Sequence, residues 1–173
     1  MFALKLERVL AEKGIHYAWF MAFISFFLLM FSSSAASTPA VLMLPIIKAF
    51  GWSITDISAI IGALFIIVAV AAPFGTAFML HLGLTKIVVI SCVSLIAGLG
   101  LTTFAIEKWH LFFSMGTLLG LASGILSLGF AATVATRWFV EKRGLVLGIL
   151  AASWAAGQIT VSYTHLRAHE THE

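Results

Sequence analysis

The sequence predicts an all-α membrane protein, a polytopic bundle of about five transmembrane helices, on three observations. Hydrophobic residues make up 61% of the 173 residues and charged ones only 10%, whereas a soluble domain carries roughly a quarter charged residues. The mean hydropathy is +1.09. Five apolar stretches are long enough to cross a hydrocarbon core, which takes about 20 residues at a rise of about 1.5 Å each. We therefore expect an integral membrane protein whose main partner is the lipid bilayer.

The five predicted spans follow one another with short connections and no soluble domain between them. They cover residues 17–47, 55–79, 85–105, 111–136 and 144–163. The leader, residues 1–16, is either a short amphipathic helix on the membrane surface or a frayed charged terminus. Its apolar residues on one helical face are Phe2, Leu6, Val9 and Leu10. A cleaved signal peptide is disfavoured, because the leader contains acids and the apolar run resumes after "SSSAAS".

The distribution of basic residues predicts the orientation of the chain. Cytoplasmic loops of membrane proteins carry an excess of Lys and Arg. With the amino terminus inside, seven basic residues face the cytoplasm: Lys5, Arg8, Lys13, Lys86, Arg137, Lys142 and Arg143. Only Lys48 and Lys108 lie on the opposite side. We expect a cytoplasmic amino terminus, in an inner (plasma) membrane of bacterial type.

Composition and spacing disfavour several other functions. Basic clusters with interleaved aromatic residues are lacking, so nucleic acid is not an expected partner. The single cysteine, Cys92, forms no internal disulfide or cysteine-based metal cluster. Asp56, at the start of the second span, is better suited to capping a helix than to relaying protons. The spans contain no paired carboxylates and no Ser–His–Asp set, so we expect neither an enzyme nor a cofactor.

Small residues recur every four positions in the last two spans. The repeat is formed by Gly116, Gly120 and Gly124 in the fourth span, and by Gly144 and Gly148 at the start of the fifth. Such faces let helix backbones approach closely. We expect packing within the bundle, with homodimerisation as the alternative.

Hydroxyl side chains interrupt the first span in "SSSAASTP". Ser33 and Ser37 share a helical face, and Pro39 removes a backbone hydrogen bond and often bends a membrane helix. This face either lines a polar path or bonds to its own helix or a neighbour. Gln158, with Ser153 and Trp154, forms a second polar cluster in the fifth span.

Two connecting segments resemble the major facilitator superfamily. The segment "GTAFMLHLGLTKIVVI" is similar to its signature loop, matching best at Gly83 and Lys86 and departing from it at Leu80 and His81. The segment "ATVATRWFVEKRGLVLGILAASWAAGQ" resembles the fourth-to-fifth helix region of the monocarboxylate and oxalate/formate branch. Its matching loop residues are Arg137, Trp138, Phe139, Arg143 and Gly144.

The resemblance implies a secondary transporter for small organic anions that works by alternating access. The family fold has twelve helices in two halves with substrate between them. Residues 17–161 would form part of the amino-terminal half, and we expect this segment alone not to transport. The resemblance places five wall candidates along the cavity: Ser33, Ser37, Ser123, Ser127 and Gln158.

The tail, residues 162–173, breaks with the composition before it. His165, His169 and His172 share a helical face that could bind zinc, but "HETH" is one residue short of an HExxH motif. The string resembles translated sequencing-adapter read-through, and we interpret it as an artefact, not a metal site. Two functions remain as alternatives: a small membrane scaffold that packs through glycine faces, and a metal-dependent membrane enzyme that relies on this tail.

Overall fold

A computed structural model describes residues 17–170, with side chains at 17–161 and at 163. Within that range the chain forms helices joined by short turns. The first three spans are α1 (Tyr17–Phe50), α2 (Ile54–Leu82) and α3 (Leu84–Thr102). The fourth span consists of four consecutive segments: α4 (Lys108–Leu111), the π-helix π1 (Phe112–Leu119), α5 (Gly120–Ile125) and α6 (Leu128–Trp138). The fifth span is α7 (Arg143–Glu170). All five are long and apolar enough to cross a membrane, which confirms the predicted all-α class.

The ends of the first four spans lie within about three residues of the predicted positions, whereas α7 extends to Glu170, beyond the predicted end at residue 163. The third ends at Thr102 because the next residues turn, with the amide of Thr103 donating to the carbonyl of Gly100 at 3.2 Å. The fourth is interrupted at Leu126 and contains a π-helical segment, whereas the sequence predicted one continuous helix. The predicted surface helix in residues 1–16 lies outside the described residues, as do His172 and the side chains of His165 and His169.

Polar contacts at the ends of α2 fix where it starts and stops. The Ser53 hydroxyl accepts from the amide of Asp56 at 3.1 Å, and the Asp56 carboxylate accepts from the amide of Ser53 at 3.3 Å, a capping box. Lys108 Nζ donates to the same carboxylate at 2.6 Å and ties α2 to the start of the fourth span. At the other end Gly83, with φ +92°, adopts a conformation that L side chains rarely take and turns the chain directly into α3.

The fourth span lies at the centre of the bundle. Of its most apolar 18 residues, 56% are buried, compared with 22–39% for the other spans. It packs against α1, α2, α3 and α7. Gly120 and Gly124 face α2, where a Cβ on Gly124 would lie 2.7 Å from both the Val68 carbonyl oxygen and the Ala71 Cβ. Backbones approach closely here because these positions lack side chains.

Not every glycine of the four-residue repeat packs closely against another helix. A Cβ on Gly116 would meet ordinary contacts at 3.7 Å or more, so this position does not require glycine for space. Gly144 and Gly148 are exposed and have nothing within 4 Å of an added Cβ. Gly148 therefore does not serve the expected packing role in the described chain, because the spacing continues beyond the helix surface that meets a neighbour.

The first and last spans pack together along a seam of hydroxyl groups. Ser33 Oγ donates to the Trp154 carbonyl at 2.6 Å, and Ser34 Oγ donates to the Gly157 carbonyl at 3.0 Å. A Cβ on Gly157 would collide with the Met30 carbonyl oxygen. The seam fixes the register of α7 against α1, which is the most extensive contact between any two of the described helices.

Replacing Gly124 with alanine should destabilise the bundle, whereas Gly148→Ala should not. The new methyl group at position 124 meets the backbone of α2, and such overpacking costs about 1–3 kcal/mol. At position 148 the methyl meets open space, and alanine is favoured over glycine in a helix by about 1 kcal/mol. Thermal unfolding midpoints in detergent would measure both variants. Equal midpoints would contradict this account of the α2–α5 contact.

Replacing Ser33 with alanine should cost more stability than replacing Ser37. Ser33 bonds a different helix, whereas Ser37 Oγ donates to the Ser33 carbonyl of its own helix at 3.0 Å. Interhelical side-chain hydrogen bonds in membranes average about 0.6 kcal/mol. Unfolding in increasing fractions of a denaturing detergent would compare the two variants. A larger loss for Ser37→Ala would refute the role of the seam.

Candidate functional site

The fourth span breaks in the middle of the bundle, between α5 and α6. Leu126 has φ −85° and ψ 57°, outside helical geometry, and Ser127 is extended at φ −113° and ψ −163°. Helical bonding resumes when the amide of Ala131 donates to the carbonyl of Ser127 at 3.2 Å. Ser127 occupies the N-cap position of α6, but its side chain makes no capping hydrogen bond. A new helix thus begins inside the bundle, with its first amides unpaired within the helix.

Two buried serines bond the broken backbone to the first span. Ser32 Oγ donates to the Leu126 carbonyl, and Ser123 Oγ donates to the Ser32 carbonyl, each at a distance of 3.4 Å. Ser32, Ser123 and Leu126 are completely buried. A carbonyl released from helical bonding inside a membrane needs another partner, and Ser32 supplies a long hydrogen bond to it.

A cleft of about 560 Å³ opens beside the start of α6, between α2 and α7. We call it the α6 cleft; it is lined by Val68, Ala72, Pro73, Thr76, Ser127, Leu128, Gly129, Ala151 and Trp154. Three of these lining residues carry hydrogen-bonding side chains, Thr76, Ser127 and Trp154. A Cβ on Gly129 would collide with Thr76 Oγ1, so the glycine lets this hydroxyl approach the first turn of α6.

The α6 cleft offers hydrogen-bond donors and a favourable potential to a small anion. The hydroxyls of Thr76 and Ser127 and the indole of Trp154 all donate, and the positive end of the α6 dipole lies at Ser127. The described lining residues carry no formal charge. An apolar cleft with a few polar groups is the usual form of a small-molecule site. Groups of this kind can bind and orient a ligand.

The five predicted wall residues occupy three different environments. Ser127 lines the α6 cleft, and Gln158 is exposed one turn beyond Trp154 on α7. Ser37 is half-buried and bonded to its own helix. The expectation for Ser33 and Ser123 needs correction, because both are completely buried and bond neighbouring helices. In the described structure these two serines hold spans together and line no open space.

Sequence reasoning missed Thr76 and Ser32. Thr76 is a hydroxyl residue three positions after Pro73, in a span otherwise almost without polar side chains, and that contrast was an available signal. Ser32 was adjacent to the predicted face, but its partner Leu126 lies 94 residues further along the chain. Nothing in the local sequence around Ser32 indicates this contact.

The predicted loop residues form a compact turn between α6 and α7. Arg143 Nε donates to the Phe139 carbonyl at 2.6 Å, and the Arg137 guanidinium lies 5.2 Å from the Trp138 ring centre. The ring of Phe139 in turn packs edge-on against Trp19 of α1 at 5.2 Å. Gly144 follows at the exposed start of α7, and in the α2–α3 turn Gly83 is followed by the exposed Lys86. The loop thereby joins the ends of α1, α6 and α7.

Comparison with known proteins identifies the family. The model of the Major Facilitator Superfamily matches residues 19–163. Monocarboxylate transporter 9 of Pongo abelii and that of Mus musculus are each 28% identical over 148 residues, 82% of this chain and 28% of theirs. The protein of the same name from Rattus norvegicus is 30% identical over 87 residues, 50% of this chain and 17% of its own.

The chain therefore spans little more than a quarter of the first two relatives. The family match covers all five membrane spans, including both segments on which the resemblance was based. These spans are those of an integral membrane protein of a transporter family. The chain belongs to the Major Facilitator Superfamily.

Proposed function

We propose that this chain contributes one wall of a secondary transporter that moves small monocarboxylates across the membrane by alternating access. The observation that carries the proposal is the α6 cleft, where a helix starts within the bundle beside three donor side chains. Discontinuous helices in transporters commonly direct their amino-terminal ends at anionic groups of the substrate. The relatives are named monocarboxylate transporters, and the substrate class in this proposal is taken from those names.

The dimensions and chemistry of the cleft suit a short carboxylate. Its volume of about 560 Å³ is within the range of roughly 300–1,000 Å³ typical of ligand sites. We assign the carboxylate to the Ser127 and Thr76 hydroxyls and the apolar part of the substrate to Ala72 and Ala151. Trp154 lines the side of the α6 cleft that α7 forms. The absence of a formal charge among the described lining residues suits a substrate that must leave as readily as it enters.

The orientation with the amino terminus in the cytoplasm belongs to the same proposal. It places the basic α6–α7 loop on the inside, as the excess of Lys and Arg favours. The Lys108–Asp56 pair then lies on the outer surface, where ion pairs are partly hydrated and exposed. A cysteine-accessibility experiment with Lys86→Cys and Lys108→Cys tests this: labelling from outside should reach only position 108.

Uptake measurements on the complete open reading frame that contains these residues test the transport proposal. Cells or vesicles expressing it should accumulate labelled lactate or pyruvate above control, and the 173-residue chain alone should not. No uptake of any short monocarboxylate by the complete protein would refute the substrate class. Uptake by the 173 residues alone would show that these spans suffice for transport.

Substitutions in the α6 cleft should weaken substrate binding. Thr76→Val and Ser127→Ala each remove one hydrogen bond to a charged ligand, so KM should rise about tenfold, or ~1.4 kcal/mol. Thr136→Val is the matched control, because that hydroxyl is exposed and donates to the Ala132 carbonyl of its own helix at 2.8 Å. A control variant that raises KM as much as the cleft variants would contradict the assignment.

A further inference from the structure

Ser32 bonds the break in the fourth span and not its own helix. Ser37 and Thr38, further along α1, donate to carbonyls four residues back in the same helix, each at 3.0 Å, as hydroxyl residues in helices often do. Ser32 Oγ donates instead to the Leu126 carbonyl at 3.4 Å, and its side chain is completely buried. The Ser32 hydroxyl therefore bonds the one turn of the fourth span at which α5 gives way to α6.

The Leu126 carbonyl has two alternative hydrogen-bond donors. In a continuous helix it would accept from the amide of Phe130, four residues on. In the structure helical bonding resumes only at the Ser127 carbonyl, and the amides of residues 128–130 precede the first bond within α6. Leu126 is completely buried, and a buried carbonyl without a partner is costly. The carbonyl thus bonds Ser32 when the span is broken and Phe130 when it is continuous.

A second buried hydrogen bond joins the same two spans without involving the break. Ser123 Oγ donates to the Ser32 carbonyl at the same distance, 3.4 Å, and Ser123 is also completely buried. That carbonyl lies inside the continuous helix α1, where the amide four residues on is its helical partner. Loss of the Ser123 hydroxyl therefore leaves every carbonyl of this contact with a partner, whereas loss of the Ser32 hydroxyl leaves the Leu126 carbonyl without one.

We propose that Ser32 is a positioning residue of the α6 cleft, because its hydroxyl keeps the Leu126 carbonyl out of the helical ladder and so maintains the amino-terminal end of α6 at the cleft. Ser32 itself does not line the cleft. Backbone groups at membrane depth must be bonded within the protein. Without the Ser32 hydroxyl the Leu126 carbonyl bonds the Phe130 amide, and the free end of α6 is lost. The inference rests on the proposed function for its ligand, but not for its effect on the backbone.

Hydrogen exchange of backbone amides in the 173-residue chain, measured by NMR in detergent micelles, tests the effect on the backbone without any substrate. In Ser32→Ala the amides of residues 128–130 gain helical partners, so they should exchange about tenfold more slowly, the ratio that one net hydrogen bond gives. Ser123→Ala is the matched control: it removes a bond of the same length and burial, and exchange at these amides should not change. Ser32→Cys nearly preserves the volume but has a weak donor, and it should slow exchange in the same direction if Ser32→Ala does not fold.

Lactate uptake by the complete open reading frame tests the link between Ser32 and the cleft. KM should rise about fivefold in Ser32→Ala, the effect of losing a helix amino-terminal end beside a charged ligand, and should stay within about twofold in Ser123→Ala.

The two measurements separate this inference from the proposed function. Unchanged exchange at residues 128–130 in both Ser32 variants, or an equal change in Ser123→Ala, would overturn the inference whatever the protein transports. An unchanged KM in Ser32→Ala, when Ser127→Ala raises it, would also overturn it. Slower exchange in Ser32→Ala without any rise in KM from Ser127→Ala or Thr76→Val would support the role of Ser32 in the break and would refute the α6 cleft as the substrate site.

Discussion

The lack of water in the hydrocarbon core is the constraint on which the rest of this structure depends. Backbone amides and carbonyls at membrane depth must bond within the protein, so each span is helical wherever it meets lipid. Among the described residues, the break at Leu126 and Ser127 interrupts the most enclosed of the five spans, where Ser32 can reach the Leu126 carbonyl. The break is tolerated because the fourth span is at the centre of the bundle.

The same break links packing to function. Gly120 and Gly124 bring α5 against α2 so closely that no side chain fits between them. Beyond the break, Gly129 still lies close to Thr76 of α2, and the α6 cleft lies beside this contact, between α2 and α7. The start of α6 therefore borders both a close contact between helices and a cleft. A continuous fourth helix would leave its amides bonded internally and would present no amino-terminal end there.

The fold was largely predictable because its determinants are local. Span number follows from the length and hydropathy of each stretch, and the start of α2 follows from Ser53 and Asp56, three residues apart. The break at Leu126 and Ser127 was not predictable in this way, since it contains no proline and is flanked by the aliphatic residues Ile125 and Leu128. The glycine repeat likewise did not show which of its glycines pack against another helix. Gly124 and Gly148 have the same spacing, but a neighbouring helix lies against Gly124 and none lies within 4 Å of an added Cβ on Gly148.

The serines show why the site was harder to predict than the fold. Ser33, Ser123 and Ser127 have the same side chain and lie in apolar spans, so no local feature of the sequence distinguishes them. Their partners differ: Ser33 bonds Trp154 across 121 residues and Ser123 bonds Ser32 across 91, whereas Ser127 lines the α6 cleft without a capping bond. A hydroxyl that donates a hydrogen bond to a neighbouring helix contributes to stability and is not available to bind a transported solute. In a membrane bundle the candidate ligand groups are therefore the polar side chains that remain after the contacts between helices have been assigned.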